Sequence, residues 1–93
     1  MSQPAAAWDG AVSGKIVGLD VTGGGNYDFR VYLDSGATCG NGNNWAYVNK
    51  SYDNYDAMVS MMTLAFASNK NVIIYSTRDA AGFCQIGYLA IRP

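Results

Sequence analysis

One segment, from Asp53 to Ser68, predicts a helix that is more apolar around its circumference than a lone small domain requires. At roughly 100° per residue, its apolar side chains fall on two adjacent faces and leave a narrow polar stripe. The first face holds Tyr55, Val59, Met62 and Phe66, the second holds Ala57, Met58, Met61, Leu64 and Ala65, and the stripe holds Asp56, Ser60 and Thr63. Because one packed face needs an apolar arc of only roughly 100°, the helix predicts a second covering surface.

Two interpretations of this helix remain open. In the first, the second face packs against a partner, which makes assembly the leading clue to function. In the second, Met and Ala serve only as good helix formers in a loosely packed core. Both interpretations predict the same helix ends. Asp53 is placed to cap the N-terminus, and Asp56 puts a carboxylate in the first turn. Asn69 and Lys70 supply a stop at the C-terminus.

The composition indicates one small domain with a neutral surface. The 93 residues predict an N-terminal extension over 1–10 and a single domain over 11–93. Six Lys and Arg against seven Asp give a net charge of −1, which disfavours nucleic acid as a partner. No apolar run approaches the roughly 20 residues that cross a bilayer, so we expect no membrane span.

The two cysteines, Cys39 and Cys84, form the natural disulfide pair, and two free thiols in a cytosolic protein are the alternative. The first residues have neither a basic start nor an apolar central run, so they do not form a signal peptide. Because a disulfide is typical of oxidising compartments, we expect a secreted or periplasmic chain whose signal peptide has been removed.

The order of the elements predicts the fold class. Strands are expected over 14–21, 27–33, 45–48, 71–76 and 83–91, with the helix between the third and the fourth. In the second strand, Tyr27, Phe29, Val31 and Leu33 are expected inward and Asp28, Arg30 and Tyr32 outward. Three strands, one helix and two strands is the order of the oligonucleotide/oligosaccharide-binding (OB) fold. The sequence thus predicts a mainly β chain with one helix (α+β), an OB-fold-like five-stranded antiparallel barrel.

Catalysis finds little support in the composition. The chain has no His and no Glu, which excludes Ser-His-Asp and Cys-His arrangements and leaves a carboxylate pair that includes Asp20 as the enzymatic alternative. Two Cys without His do not make a zinc site, and the Gly23-Gly24-Gly25 run is a turn rather than a phosphate loop. We expect no catalytic residue, no metal and no cofactor.

Binding is the better-supported activity. Sugar sites typically combine an aromatic face with a few fixed amide, hydroxyl, Arg or Asp groups, and such residues cluster around the third strand. The candidate ligand-binding residues are Asn43, Asn44, Trp45, Tyr47, Arg78 and Asp79. In the alternative, Trp45 is a core anchor beneath the disulfide, and the Asn residues serve turns.

The segment from Trp45 to Ile91 resembles a known family. It contains Trp-Ala-Tyr-Val-Asn-Lys, the helix, Asn-Val-Ile-Ile-Tyr and Phe-Cys-Gln-Ile-Gly-Tyr-Leu-Ala-Ile in succession. This order resembles the binding (B) subunits of bacterial pentameric A-B-type toxins, most nearly proteins similar to the subtilase cytotoxin B subunit. The layout is also similar to that of the cholera toxin B subunit.

The resemblance implies a secreted, non-enzymatic subunit that assembles into a ring of five, binds cell-surface glycans and docks a catalytic A chain. The residues expected at the subunit interface or the pore are Asp56, Met58, Ser60, Met61, Thr63, Leu64 and Ala65. The alternative function is a stand-alone secreted OB-fold module that binds a protein or another ligand without a toxin partner.

Overall fold

The computed structural model of the protein describes residues 8–36 and 38–93. The chain is mainly β with one helix, and the helix lies between the third and fourth strands as the sequence predicts. The elements are β1 (Gly10–Val21), β2 (Phe29–Leu33), β3 (Trp45–Val48), α1 (Tyr55–Ala67), β4 (Asn71–Arg78) and β5 (Cys84–Arg92).

The five strands form one sheet that closes on itself in the order β1-β2-β3-β5-β4, with β4 pairing back to β1. The pair of β3 and β5 is parallel and consists of a single position, Tyr47 opposite Gln85, whereas the other pairs are antiparallel. The prediction of a wholly antiparallel sheet is therefore wrong at this pair. The reason is geometric, because strand direction cannot alternate all the way around a closed ring of five.

β1 is long enough to pair with two neighbours. Its first half, from Gly10 to Lys15, pairs with β4, and its second half pairs with β2. A register shift between Ile16 and Gly18 marks an irregularity where the strand passes from one partner to the other. Val17 lies at this shift and is 57% exposed, so its side chain contributes little to the core.

The hydrophobic core fills the inside of the closed sheet. Phe29, Val31 and Leu33 of β2 are buried in alternation, as predicted. The other strands contribute Ile16, Ala46, Val48, Val72, Ile74 and Ile86. Since every strand contributes inward-facing side chains, the core depends on all five strand pairs.

Asp28 departs from its predicted outward orientation. The residue is only 8% exposed, and its carboxylate accepts a hydrogen bond from the backbone N–H of Lys50 at 2.7 Å. The backbone N–H of Asp28 in turn donates to the Asn49 side chain at 3.3 Å. These bonds join the β1–β2 loop to the segment after β3, which explains why a carboxylate is buried there.

The inner face of α1 is rotated from the predicted one. It consists of Tyr55, Met58, Val59, Met62 and Ala65. Phe66, predicted to face inward, is 46% exposed, whereas Ala65, predicted to face outward, is buried. The single methyl group of Ala65 lets the last turns of the helix lie close to the sheet.

The ends of α1 agree with the prediction on one side only. The N-terminal boundary residue is Asn54, which makes no side-chain capping bond, so the predicted cap at Asp53 is wrong. At the other end, Asn69 adopts a left-handed conformation with φ of 57°, and the N–H of Lys70 donates to the carbonyl of Ala65. The predicted stop is confirmed.

The disulfide between Cys39 and Cys84 is present, so the predicted pairing is confirmed. The two Cα atoms lie 5.6 Å apart, and both residues are fully buried. The bond joins the loop between β2 and β3 to the first residue of β5.

The last two residues of the predicted extension, Asp9 and Gly10, are joined to the sheet. β1 starts at Gly10, and the N–H of Asp9 already donates to the carbonyl of Ser76 in β4 at 2.9 Å. Residues 1–7, most of the predicted extension, lie outside the described residues. Within 8–36 and 38–93, no helix has the length and apolar character needed to cross a membrane.

Candidate functional site

The outer face of β2 and β3 gathers aromatic and charged side chains in two rows across the sheet. Asp20, Arg30 and Tyr47 are register neighbours in the first row, and Tyr32 and Trp45 are neighbours in the second. Side chains alternate between the two faces of a strand, so the core residues between them point to the other side. The alternation that builds the core thus also builds this outer surface.

Four rings meet on this surface, and we call them the aromatic cluster: Tyr27, Trp45, Tyr47 and Phe83. Phe83 stacks on Trp45 with ring centroids 5.2 Å apart and an interplanar angle of 29°. Tyr27 approaches Tyr47 edge to face at 4.6 Å, and it also contacts Trp45 and Phe83. Two rings come from β3 and one from each of two loops, β1–β2 and β4–β5, so the cluster joins three parts of the chain.

Tyr27 reaches the cluster through an uncommon backbone conformation. Its φ of 57° lies in the left-handed region, and its N–H donates to the Asn26 side chain at 2.9 Å. For a residue other than glycine, this conformation costs on the order of 1–3 kcal/mol and persists only where the surroundings hold it. The contacts of the ring with the other three aromatic side chains provide that support.

Arg30 brings charge to the edge of the aromatic cluster. Its guanidinium carbon lies 5.9 Å from the centre of the Trp45 ring, and its NH2 atom lies 3.4 Å from the Asp20 carboxylate. The Tyr32 hydroxyl donates to the same carboxylate at 2.7 Å, and this hydrogen bond, with some burial, raises the pKa of Tyr32. Because Asp20 balances Arg30, this edge presents hydrogen-bonding groups with little net charge.

Tyr47 and Asp79 form the buried part of the site. Tyr47 is 2% exposed, and its hydroxyl donates to the Asp79 carboxylate at 2.5 Å. Burial and this bond together raise the pKa of Tyr47 above its usual range. Burial acts to raise the pKa of Asp79, but hydrogen bonds from Tyr47 and from backbone N–H groups, including those of Phe83 and Ala81, lower it below the usual value. Asp79 therefore stays ionised and fixes the β4–β5 loop.

The structure brings together three of the six predicted ligand-binding residues: Trp45, Tyr47 and Asp79. The other three make hydrogen bonds outside this group. The side-chain amide of Asn44 donates to the carbonyl of Leu33 at 3.0 Å, and the backbone N–H of Asn43 donates to the Asn41 side chain at 3.0 Å. Arg78 pairs with Asp9 instead, through its backbone N–H at 2.7 Å and its guanidinium at 4.0 Å.

Five members of the surface were not among the predicted site residues: Asp20, Tyr27, Arg30, Tyr32 and Phe83. For Arg30, the only sequence feature that pointed to this surface was its predicted outward orientation on the second strand. No local sequence pattern identifies Tyr27 or Phe83 as a site residue. Each joins the cluster from a loop whose position depends on strand pairing distant in the sequence.

No family model, curated protein or solved structure matches this chain.

A second exposed surface lies on α1, where the interface or pore residues were predicted. Leu64 is 62% exposed and Met61 is partly exposed, whereas Met58 packs against the core and Ala65 is buried within the subunit. The polar stripe of Asp56, Ser60 and Thr63 is exposed.

Two grooves separate α1 from β5. One, of about 230 Å³, is lined by residues that include Ala57, Met61 and Leu89. The other, of about 390 Å³, is lined by residues that include Leu64 and Ile91. The outer side of α1 is thus apolar on the flank next to β5 and polar on the flank away from it.

The polar groups at these surfaces are held in hydrogen bonds and lie beside aromatic rings. Among the residues that the structure describes, no three acidic, Cys or His side chains come together as metal ligands would. Asp20 and Asp79 are each engaged in hydrogen bonds to tyrosine hydroxyl groups. The outer face of β2 and β3 offers aromatic rings bordered by hydroxyl, guanidinium and carboxylate groups, a combination suited to a polyhydroxylated ligand.

Proposed function

We propose that this chain is a non-enzymatic, saccharide-binding subunit with an OB-like fold, which assembles with copies of itself into a ring. The observation that carries the proposal is the composition of the outer face of β2 and β3, where Trp45 lies beside Phe83 and Arg30. Aromatic rings stack against the apolar faces of sugars, and the neighbouring charged groups bind their hydroxyl groups.

The OB-like assignment is supported by topology and by the position of the site. The helix follows β3, and β1 pairs with both β2 and β4 in the closed sheet. OB-folds bind oligosaccharides and oligonucleotides on strands 2 and 3 with the β1–β2 and β4–β5 loops. Tyr27 and Phe83 come from those two loops, and Trp45 comes from β3. The net charge of −1 favours a saccharide over a nucleic acid.

Assembly into a ring is supported by the outer side of α1. Leu64 at 62% exposure is unusually accessible for a large apolar side chain, and the grooves beside β5 extend the apolar surface next to it. The family resemblance adds three further expectations. These are a ring of five members, a docked A chain, and a pore bordered by Asp56, Ser60 and Thr63. The buried disulfide supports an oxidising compartment, and hence secretion.

The saccharide proposal is tested on a glycan array followed by calorimetry on the best ligand. The substitution Trp45→Leu removes the central ring and is expected to weaken binding by roughly 30-fold, as for a residue that dominates a binding site. Val17→Thr is the matched control, because Val17 is exposed on β1 outside the cluster. An array without binding to wild type, or unchanged affinity in Trp45→Leu, would overturn the proposal.

The assembly proposal is tested by light scattering at micromolar protein concentration. Met61→Asp places a charge on the apolar flank of α1, so it is expected to convert the oligomer to a folded monomer. Val17→Asp places the same charge on β1 and should leave the assembly intact. A monomeric wild-type protein would contradict assembly and favour the stand-alone module, and an unfolded Met61→Asp variant would assign that side chain to the core.

A further inference from the structure

A second group of aromatic rings lies on the outer face of β4 and β5, outside the site of the proposed function. Trp8 meets Tyr75 edge to face, with centroids 5.7 Å apart and an interplanar angle of 77°. Tyr75 lies opposite Tyr88 across the strand pair, and their rings are 4.9 Å apart. We call Trp8, Tyr75 and Tyr88, together with Gly87 beneath them, the Trp8 platform.

The backbone of β5 is shaped to receive the indole. The register shifts from Tyr75 opposite Tyr88 to Ser76 opposite Ile86, which leaves Gly87 as an extra, bulged residue. A Cβ atom on Gly87 would overlap the six-membered ring of Trp8, so the indole lies directly on the strand backbone. Any larger residue at position 87 would displace it.

The chain around Trp8 is fixed to β4. Next to it, the backbone N–H of Asp9 donates to the Ser76 carbonyl at 2.9 Å, and the Asp9 carboxylate accepts the backbone N–H of Arg78 at 2.7 Å. The ring is thus held in place although Trp8 is 38% exposed and Tyr88 is 42% exposed. A held, accessible aromatic face loses little conformational entropy when a ligand stacks on it.

The platform continues into the groove of about 230 Å³ between β5 and α1. Besides Gly87 and Tyr88, the groove is lined by Asn54, Ala57, Met58, Met61 and Leu89. Asn54 lines this groove and makes no side-chain capping bond with the helix, and none of the residues that line the groove is charged. Exposed aromatic rings, one amide and no charge fit a neutral ligand with an apolar face and hydroxyl groups.

We propose that the Trp8 platform and this groove form a second binding site, specific for a neutral saccharide and separate from the Trp45 surface. Sugar rings stack on Trp8 and Tyr88, and Asn54 hydrogen-bonds a hydroxyl group in the groove. An acidic sugar gains nothing here, since no cation lines the groove.

The chain offers a direct test, because its two tryptophans, Trp8 and Trp45, lie one at each site. In Trp45→Phe, all tryptophan fluorescence comes from Trp8. We would titrate this variant with lactose, cellobiose and N,N′-diacetylchitobiose, with sialyllactose as the acidic comparison. A saturable change in emission is expected with at least one neutral disaccharide and a weaker one with sialyllactose. In the reciprocal variant Trp8→Phe, emission reports the Trp45 surface alone, so failure at one site is distinguishable from failure at the other.

A second substitution tests the geometry. Gly87→Val in the Trp45→Phe background should displace the indole, shift its emission to longer wavelength and abolish the saccharide response. Gly23→Ala is the matched control, because Gly23 faces open space. No saturable response to any of the three neutral disaccharides would overturn the proposal.

Discussion

At the scale of single residues, the Tyr47 hydroxyl carries much of the order at the Trp45 surface. It is almost fully buried and donates to a carboxylate that also holds two backbone N–H groups of the β4–β5 loop. Removing the hydroxyl leaves Asp79 with its loop contacts but without its shortest bond. The aromatic cluster depends on this loop because the loop supplies Phe83.

Tyr47→Phe is therefore expected to lower the free energy of unfolding by about 1.5–3 kcal/mol, the range for a hydrogen bond to a charged group. Urea denaturation followed by circular dichroism measures the change. Tyr88→Phe is the matched control, since Tyr88 is 42% exposed. Equal losses in the two variants would show that the Tyr47–Asp79 bond contributes nothing specific.

The same pair predicts the pH dependence of stability. The pKa of Asp79 is lowered in the folded state, so its contribution is complete above the ordinary value of 3.8 and is lost as the pH falls through the folded pKa. The pKa of Tyr47 is raised, so its contribution is complete below the ordinary value of 10.0 and declines as the pH rises above it. Urea midpoints across the pH range should fall at both ends. The urea midpoint of Tyr47→Phe should fall less than that of wild type at both ends of the pH range. A pH profile identical to that of wild type would contradict the role assigned to the Tyr47–Asp79 bond.

Residue-level prediction succeeded where local alternation decides the outcome. Phe29 and Val31 could be predicted as buried from the period of β2. Asp28 could not, because its burial depends on bonds to Asn49 and Lys50, about twenty residues away. Long-range partners of this kind leave no periodic pattern in the sequence.

At the scale of elements, α1 has one face that stabilises the subunit and one that does not. Met62 is fully buried, whereas Leu64, two residues further along, is 62% exposed. Met62→Ala should cost about 2–5 kcal/mol of unfolding free energy, because it leaves a cavity in the core. Leu64→Ala on the same helix should change the subunit's stability by no more than about 0.5 kcal/mol.

Chemical denaturation of both α1 variants, at concentrations where each is monomeric by light scattering, separates subunit stability from assembly. A loss in Leu64→Ala as large as that in Met62→Ala would mean that the outer face packs within the subunit.

The disulfide is the other stabilising element. Cys39 and Cys84 are separated by 45 positions, and in the chain-entropy model a loop of that size contributes about 4 kcal/mol. The double variant Cys39→Ala/Cys84→Ala should lose about that amount in urea unfolding. Wild type unfolded and refolded with a thiol reductant is the comparison, and full stability of the double variant would contradict the assigned role.

The boundaries of elements were predictable to different extents. β3 matches its predicted bounds, because its short apolar run lies between a Gly/Asn loop and a polar segment. β1 begins four residues earlier than predicted, since its first half is defined by pairing with β4. The inner face of α1 depends on how closely Ala65 approaches the sheet, which the helical period alone does not specify.

At the scale of the whole molecule, the two proposed saccharide surfaces lie on the outside of one closed sheet. One is built on β2 and β3, and the other on β4 and β5. Met61 lies on the apolar flank of α1 and also lines the groove that continues the Trp8 platform, so assembly through α1 and saccharide binding at the platform share that groove. A platform response that persists in the intact oligomer would show that the two uses are compatible.

The single position that joins β3 to β5 gives the disulfide a further significance. Cys84 immediately precedes Gln85, the residue that forms this pair, and Cys39 lies in the loop that leads into β3. The covalent bond therefore fastens the seam at which the backbone itself provides the least pairing. Without it, closure at this seam depends on that single backbone pair and on side-chain packing, and an opening there would expose β3 and β5 as edge strands, which are aggregation sites in β proteins. Reduction of the disulfide is therefore expected to weaken the closed sheet first at this seam.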